Sequence, residues 1–230
     1  MYRILFLLLT LILPYSLMAQ KVQLAGELTK EEMSQLESGE LILKTSEIEG
    51  SAWPEITQYL IVKASALETM GIFSALDYQK DYVPNVLKSK PIKHLSAVEV
   101  LTEYEMHVPF PLPNAHYTHG SIIHQYDEDY ELTWYKVESS STEEVKGSAY
   151  FTPYKNFTLF RYRSFIKPKS IFGSLVKKMM LRDVKNSVLV IRDHIEKLKS
   201  ENSPLLSKYS GFISAALKGE MTYSGAIESK

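Results

Sequence analysis

The chain has 230 residues, a formal net charge of −1 at pH 7 and no cysteine. A chain so close to neutral lacks the basic excess of nucleic-acid-binding proteins, so we expect no nucleic-acid partner. Without cysteine it has neither disulfides nor a cysteine-linked lipid anchor, and an apolar core must hold it together. Its apolar share of 45% is that of a globular domain.

Residues 1–19 have the layout of a secretory signal peptide. Arg3 precedes an apolar run at 4–13, Pro14 interrupts the run, and Ala19 offers a small residue for cleavage. The run is shorter than the roughly 20 residues of a membrane-spanning helix, which argues against the alternative of an uncleaved anchor. We therefore expect an exported protein, periplasmic or secreted, that is cleaved after Ala19.

Two helices and two strands are predicted next. Thr29 and Glu32 have the spacing of a capping box, which predicts a helix over 30–37. The runs ELILKTSEI and ITQYLIVKA are rich in Ile, Leu and Val, and they predict two strands. Ser65 is the predicted cap of a second helix over 65–78, whereas residues 79–96 are predicted as a loop with short regular pieces.

A long β region follows. The run AVEVLTEYEMHV alternates, with Tyr104 and Met106 on one face and Glu103 and Glu105 on the other. A period of two with one charged face predicts an antiparallel strand that is wet on one side. Prolines at every second position over 109–113 then end this strand, because each lacks the N–H donor that a ladder needs. Four more strand-like runs predict a continued meander.

The period changes after Pro168. Apolar residues recur in steps of four and three, which predicts one amphipathic helix from Ser170 to about Ser200. Residues 201–230 are predicted to form a C-terminal extension that is partly helical and then loose. The sequence contains no internal repeat or linker, so residues 20–200 are expected to form one domain.

This order of elements predicts an α+β fold, in which a curved antiparallel β-sheet wraps around one long C-terminal helix. A curved sheet and a straight helix leave a gap between them. An apolar gap of this kind, covered by loops, has the geometry of a ligand cavity.

Three segments carry a resemblance to a known family. PFPLPNAHY resembles the signature loop of the START (StAR-related lipid-transfer) domain, which joins two central strands. ALDYQKDYVPNVLKSKPI is similar to the family's segment after the second helix. KGSAYFTPYKNFTLFRYRSFIKPKSIFGSLVKKMM is similar to its last two strands and the start of its long helix. The chain departs from the family at Ala115 and His116, which replace an Arg-Asp pair.

The resemblance implies a START-like, helix-grip fold and a non-catalytic protein that binds a hydrophobic small molecule or lipid in an internal cavity. It implies transient membrane contact during ligand exchange and no cofactor. The side chains expected to face the cavity lie on inner strand faces and on the first turns of the long helix: Tyr104, Met106, Trp134, Phe160, Tyr162, Phe172, Val176, Met179 and Met180.

Several polar side chains are candidates for binding a metal or an acidic ligand group. His116 and His119 are three positions apart, and His119 and His124 are five apart. Each pair should therefore point to opposite faces of a strand, and no metal site is expected. Arg161 and Arg163 share a strand face, which lies either in water or, for one of them, in the cavity opposite an acidic ligand group.

No nucleophile motif or phosphate-binding glycine loop occurs, so no catalytic residue is assigned. Two alternatives stay open. One is an enzyme of the same fold superfamily, similar to polyketide aromatase/cyclases, which would use Tyr104, Tyr130 or Tyr162 inside the cavity. The other is a partner-binding module whose core is filled. Buried titratable groups would favour the first alternative, and the absence of a cavity would favour the second.

Overall fold

The computed structural model describes residues 23–108, 113–169 and 173–224, without the side chains of 173–176. The predicted signal peptide, the prolines at 109 and 111, and Phe172 lie outside the described residues. Four helices and eight strands are found within them. The helices are α1 Lys30–Glu37, α2 Ala66–Phe73, α3 Gly173–Ser200 and α4 Pro204–Leu217. The strands are β1 Ile42–Ser46, β2 Glu55–Val62, β3 Val86–His94, β4 Glu99–Met106, β5 Ala115–Tyr126, β6 Asp129–Ser139, β7 Thr142–Tyr154 and β8 Phe157–Pro168.

The eight strands form one antiparallel sheet in the order β1-β2-β8-β7-β6-β5-β4-β3. Strands β3 to β8 follow one another as a meander, and β2 joins them by pairing with β8. Helix α3 has 28 residues and is about 42 Å long at 1.5 Å per residue. The predicted α+β fold, a sheet with one long C-terminal helix, is therefore confirmed.

Local capping explains why the first two helices begin where they do. The Thr29 side chain accepts a hydrogen bond from the Glu32 N–H, and the Glu32 carboxylate accepts one from the Thr29 N–H. Ser65 and Glu68 repeat this reciprocal arrangement at α2. Each box satisfies N–H groups that the first helical turn leaves free, so both starts are encoded locally.

Helices α2 and α4 and the C-terminal half of α3 cover one end of the sheet face that we call the inner face. Gly71 of α2 lies against the α4 backbone, where a Cβ atom would come within 2.8 Å of the Ser210 nitrogen. Glycine thus permits the close approach of the two helices. Buried members of this core include Leu60, Met70, Ile72, Val100, Leu132, Phe151, Phe160, Val188, Ile195, Tyr209 and Ile213.

Two sequence predictions are corrected here. The segment predicted as loop contains the nine-residue strand β3, which tolerates Pro91 because it lies at the sheet edge beside a register shift. The C-terminal extension belongs to the domain, since α4 packs into the main core. Beyond α4, Tyr223 is buried and its hydroxyl donates to the Ser121 carbonyl at 2.9 Å. The domain therefore extends past residue 200.

The opposite, outer face of the sheet carries a smaller apolar cluster under the N-terminal segment. Leu24 and Leu36 pack there with Tyr59, Tyr150 and Leu159. Within the described ranges, no helix is long and apolar enough to cross a membrane.

Candidate ligand site

The inner face is packed at one end and open at the other. Along β4, Val100 and Thr102 have no exposed surface, whereas Tyr104 and Met106 are half-buried. The neighbouring strand β5 runs the other way and repeats the change, from buried Ile123 to half-buried Tyr117. The half-buried end therefore extends over both strands. We call the surface formed there around Tyr104, Met106 and Tyr117 the inner groove.

Helix α3 shows the same change along its length. Val188 is 1% exposed and Ile195 is fully buried, whereas Met179, Met180 and Val184 are half-buried. These half-buried residues belong to the N-terminal half of the helix, whereas the α3 residues that are buried in the main core with α2 and α4 lie in its C-terminal half. Methionine side chains adapt their shape, so this part of the helix can line a pocket for apolar molecules.

Aromatic rings form one wall of the inner groove. The rings of Tyr104 and Tyr117 stack across the β4–β5 pair with centroids 5.2 Å apart. The imidazole of His119 lies 4.4 Å from the Tyr117 ring and 5.7 Å from the Tyr104 ring. Tyr104 is held in place by its hydroxyl, which donates to Gln79 Oε1 at 2.7 Å.

These rings are surrounded by protein and yet keep accessible surface. Burial raises the pKa of Tyr104, Tyr117 and Tyr162 above the usual tyrosine value, and it lowers the pKa of His119 to about 4. All four side chains nevertheless remain half-buried by surface area. Half-buried aromatic side chains that stay neutral are typical of the lining of an apolar ligand site.

Trp134 forms the floor on the central strands. Its ring lies 5.3 Å from that of Tyr162 and 6.5 Å from that of Phe73. A Cβ atom at Gly147, the residue paired with Trp134 on β7, would come within 2.3 Å of the indole. Glycine at this position therefore lets the indole lie flat on the sheet.

The predicted site residues fall into three groups. Tyr104, Met106, Trp134, Tyr162, Met179 and Met180 are half-buried on β4, β6, β8 and α3. Phe160 has no exposed surface and stacks on Phe151 in the packed core. Phe172 and the side chain of Val176 lie outside the described residues. Ligand contact by the first group remains a prediction.

Sequence reasoning missed four polar or aromatic residues of the inner face. Tyr117 and His119 share a face with Tyr104, a fact that alternation along β5 could have indicated once the pairing was known. Thr102 and Gln58 have no exposed surface. The Gln58 amide has no hydrogen-bond partner among the described residues, and the nearly uniform burial of β2 leaves no alternation that could have distinguished this residue.

Most of the remaining polar candidates lie away from the groove. Arg161 is buried on the outer face, where its guanidinium binds Glu27 at 2.6 Å, so neither solvent nor the cavity surrounds it. Glu103 is on the wet side, where Lys88 pairs with it at 2.7 Å. His116 is exposed, whereas His119 is on the inner face. Across the described segments, no group of three or more His, Asp or Glu side chains could hold a metal.

The fold can now be compared with known proteins. By sequence, the chain matches no protein-family model and no curated protein. By structure, it is similar to a STAR-related lipid transfer protein from Xanthomonas axonopodis, with a TM-score of 0.62 and 16% identity over 67% of this chain and 93% of that one. Human STARD10 matches with a TM-score of 0.65 and 13% identity over 81% of each chain.

An enzyme is also among the similar structures. The Zhui aromatase/cyclase from Streptomyces sp. R1128 has a TM-score of 0.51 and 9% identity over 63% of this chain and 94% of that one. Taken together, these likenesses define the class: the chain has the START-like helix-grip fold. At such low identity they establish the fold alone, and the function must be argued from the groove.

Proposed function

We propose that this chain is a non-catalytic START-like protein that binds a hydrophobic small molecule or lipid in the inner groove. The observation that carries the proposal is the change from packed to half-buried side chains along β4, β5 and α3. A domain with a filled core would bury both ends of these elements alike. The similar structures whose names refer to lipid transfer support this choice of ligand class.

The binding energy would come mainly from removing apolar ligand surface from water. That removal contributes about 25 cal/mol per Å² of apolar surface, and the groove offers aromatic and methionine side chains to replace water. Entry and release would take place at the open end, beside the N-terminal half of α3. Transient contact with a membrane during exchange is part of the proposal.

Titration with N-phenyl-1-naphthylamine, an apolar fluorophore, tests for the groove. The mature chain should bind the probe, and Met180→Trp should weaken binding because the indole fills free space. Val137→Trp adds the same side chain at a position on β6 that is 46% exposed, and it should leave probe binding unchanged.

The contrary outcome is a packed core. There, Met180→Trp would overpack the interior and destabilise the protein by about 1–3 kcal/mol. If the unmodified chain takes up no probe and this variant unfolds, ligand binding in the groove is excluded. If the unmodified chain does bind the probe, native mass spectrometry of protein from its own host should identify a natural ligand.

The enzyme alternative is favoured by one observation, a neutral imidazole next to two tyrosines in an enclosed groove. Such groups could act as acid and base on a polyketide-like substrate. A bound ligand recovered with unchanged mass after prolonged incubation supports binding without catalysis.

Export also belongs to the proposal, and it rests on the signal-peptide layout of residues 1–19. N-terminal sequencing of protein recovered outside the cytoplasm should begin near Gln20. Recovery of the full-length chain from membranes alone would contradict export.

A further inference from the structure

Among the buried polar atoms of the inner face that lack hydrogen-bond partners within the described residues, two lie on neighbouring strands. They are Thr102 Oγ1 on β4 and His119 Nε2 on β5. Thr102 and His119 are direct cross-strand partners, so their side chains stand next to each other on one face. Thr102 has no exposed surface, whereas the imidazole borders the inner groove. The two unpaired atoms therefore belong to one site on the inner face.

The neighbouring polar groups are already engaged. The Tyr104 hydroxyl donates to Gln79 Oε1, and the Gln79 amide donates to the Phe73 carbonyl at 2.7 Å. On β6, Lys136 is paired with His119 in the sheet register, and its ammonium donates to the Glu143 carbonyl. These neighbouring groups thus make other hydrogen bonds and none to Thr102 Oγ1 or His119 Nε2. Buried polar atoms in native proteins nearly always have a partner, so the pair requires one from elsewhere.

We propose that Thr102 and His119 form a polar subsite that hydrogen-bonds an uncharged oxygen, a hydroxyl or carbonyl, at the buried end of the ligand. This inference rests on the proposed function, because it takes ligand binding in the inner groove as given. It narrows the ligand class to apolar molecules with a neutral oxygen at one end. The tyrosine rings beside the subsite would then pack on the carbon atoms next to that oxygen.

The surroundings disfavour a charged head group. Burial lowers the pKa of His119 to about 4 and raises that of Tyr117, so both side chains are kept neutral at physiological pH. The titratable groups that face His119 are Tyr104 on β4, Tyr117 on its own strand and Lys136 on β6. A neutral hydroxyl can both donate and accept, which matches a threonine hydroxyl next to a neutral imidazole.

Displacement of N-phenyl-1-naphthylamine by 1-dodecanol and by dodecanoate tests the subsite. At pH 7.5 we expect dodecanol to bind the unmodified chain more tightly than dodecanoate. Thr102→Val keeps the shape of the side chain and removes its hydroxyl, and His119→Phe keeps an aromatic ring. Each should weaken dodecanol binding by about tenfold, the usual effect of one lost hydrogen bond, and change the affinity for the probe less than about twofold.

A second measurement separates ligand recognition from a structural role. Thr102→Val should raise the melting temperature of the ligand-free protein, because it removes a buried hydroxyl without a partner, and should reduce the stabilisation by dodecanol. A lower melting temperature with unchanged dodecanol affinity would mean that the hydroxyl serves the fold, and the inference would be wrong.

Three further outcomes overturn the inference in different ways. Tighter binding of dodecanoate, with an affinity that rises as the pH falls from 7.5 to 5.5, would indicate a carboxylate paired with a protonated His119. If the probe binds and dodecanol affinity is insensitive to both substitutions, only the subsite fails. If the probe does not bind the unmodified chain, the proposed function fails with it.

Discussion

The pKa of His119 is determined more by its neighbours than by the residue type. On its own strand it follows Tyr117 by two positions, so both point into the inner face. The aromatic rings exclude water from the imidazole and make its charged form costly, which is why its pKa falls to about 4. An exposed histidine such as His116, three residues earlier on the same strand, experiences no such enclosure.

The neutral His119 should make the stability of the protein depend on pH. The unfolded chain takes up a proton near pH 6.5, whereas the folded chain does so only near pH 4. Stability is therefore full above about pH 6.5 and falls as the pH drops towards 4, by up to about 1.4 kcal/mol per pH unit for this group. Urea unfolding at several pH values measures the slope.

The control uses two substitutions. Burial also lowers the pKa of His94 and His194, so a slope of the same sign should persist when His119 is replaced. His119→Phe should reduce the slope between pH 6.5 and 4, and His107→Phe, at an exposed position, should not. An unchanged slope in His119→Phe would show that His119 takes up its proton at the same pH in the folded and the unfolded chain.

At the scale of elements, α3 performs two tasks along one apolar stripe. Its C-terminal half packs into the main core through Val188, Ile191 and Ile195, and its N-terminal half faces the inner groove. The stripe has the same spacing throughout. What differs is the covering, because the α3 residues that are buried in the main core with α2 and α4 all lie between Val188 and Leu198.

Val188→Ala should therefore destabilise the protein by about 1–3 kcal/mol, because Val188 is 1% exposed and its loss leaves a cavity. Met179→Ala, at a half-buried position on the other half of α3, should cost less. Denaturant unfolding of the two variants compares the halves. Equal losses would indicate that α3 is packed uniformly and that its N-terminal half does not border free space.

Elements that are specified by a local sequence signal could be predicted from the sequence. Elements that depend on contacts with distant parts of the chain could not. Helix α1 was predicted over 30–37 and found there, because its capping box lies within the helix start itself. Strand β3 was missed, because Pro91 argues against a strand unless the strand is known to lie at an edge. The burial of Arg161 depends on Glu27, 134 positions earlier, and no local pattern could indicate that contact.

The whole molecule is built of three layers, with the sheet in the middle. The main core lies on the inner face, and the N-terminal segment from Leu24 to Glu37 covers part of the outer face. Glu27 fastens this outer layer: its carboxylate accepts hydrogen bonds from the guanidinium of Arg161 and from the hydroxyl of Tyr59. Because the Arg161 side chain is only 5% exposed, its charge depends on this partner.

Glu27→Ala should destabilise the protein by about 3–5 kcal/mol, the usual cost of leaving a buried charge without its partner. Lys155→Ala is the matched control, since Lys155 and Glu37 form an ion pair on the same layer with side chains that are 61% and 42% exposed. That loss should be much smaller, because both side chains are exposed and water screens the pair. Thermal or denaturant unfolding measures both, and similar losses would show that solvent reaches Arg161.

Strand β3 has a consequence for the protein in concentrated solution. An edge strand presents unpaired N–H and C=O groups that can recruit another chain and start aggregation. On β3 the exposed Lys88, Lys90 and Lys93 repel a second copy of the same edge, Pro91 offers no N–H donor, and two register shifts bend the strand. The sheet is thereby protected against polymerising through this edge.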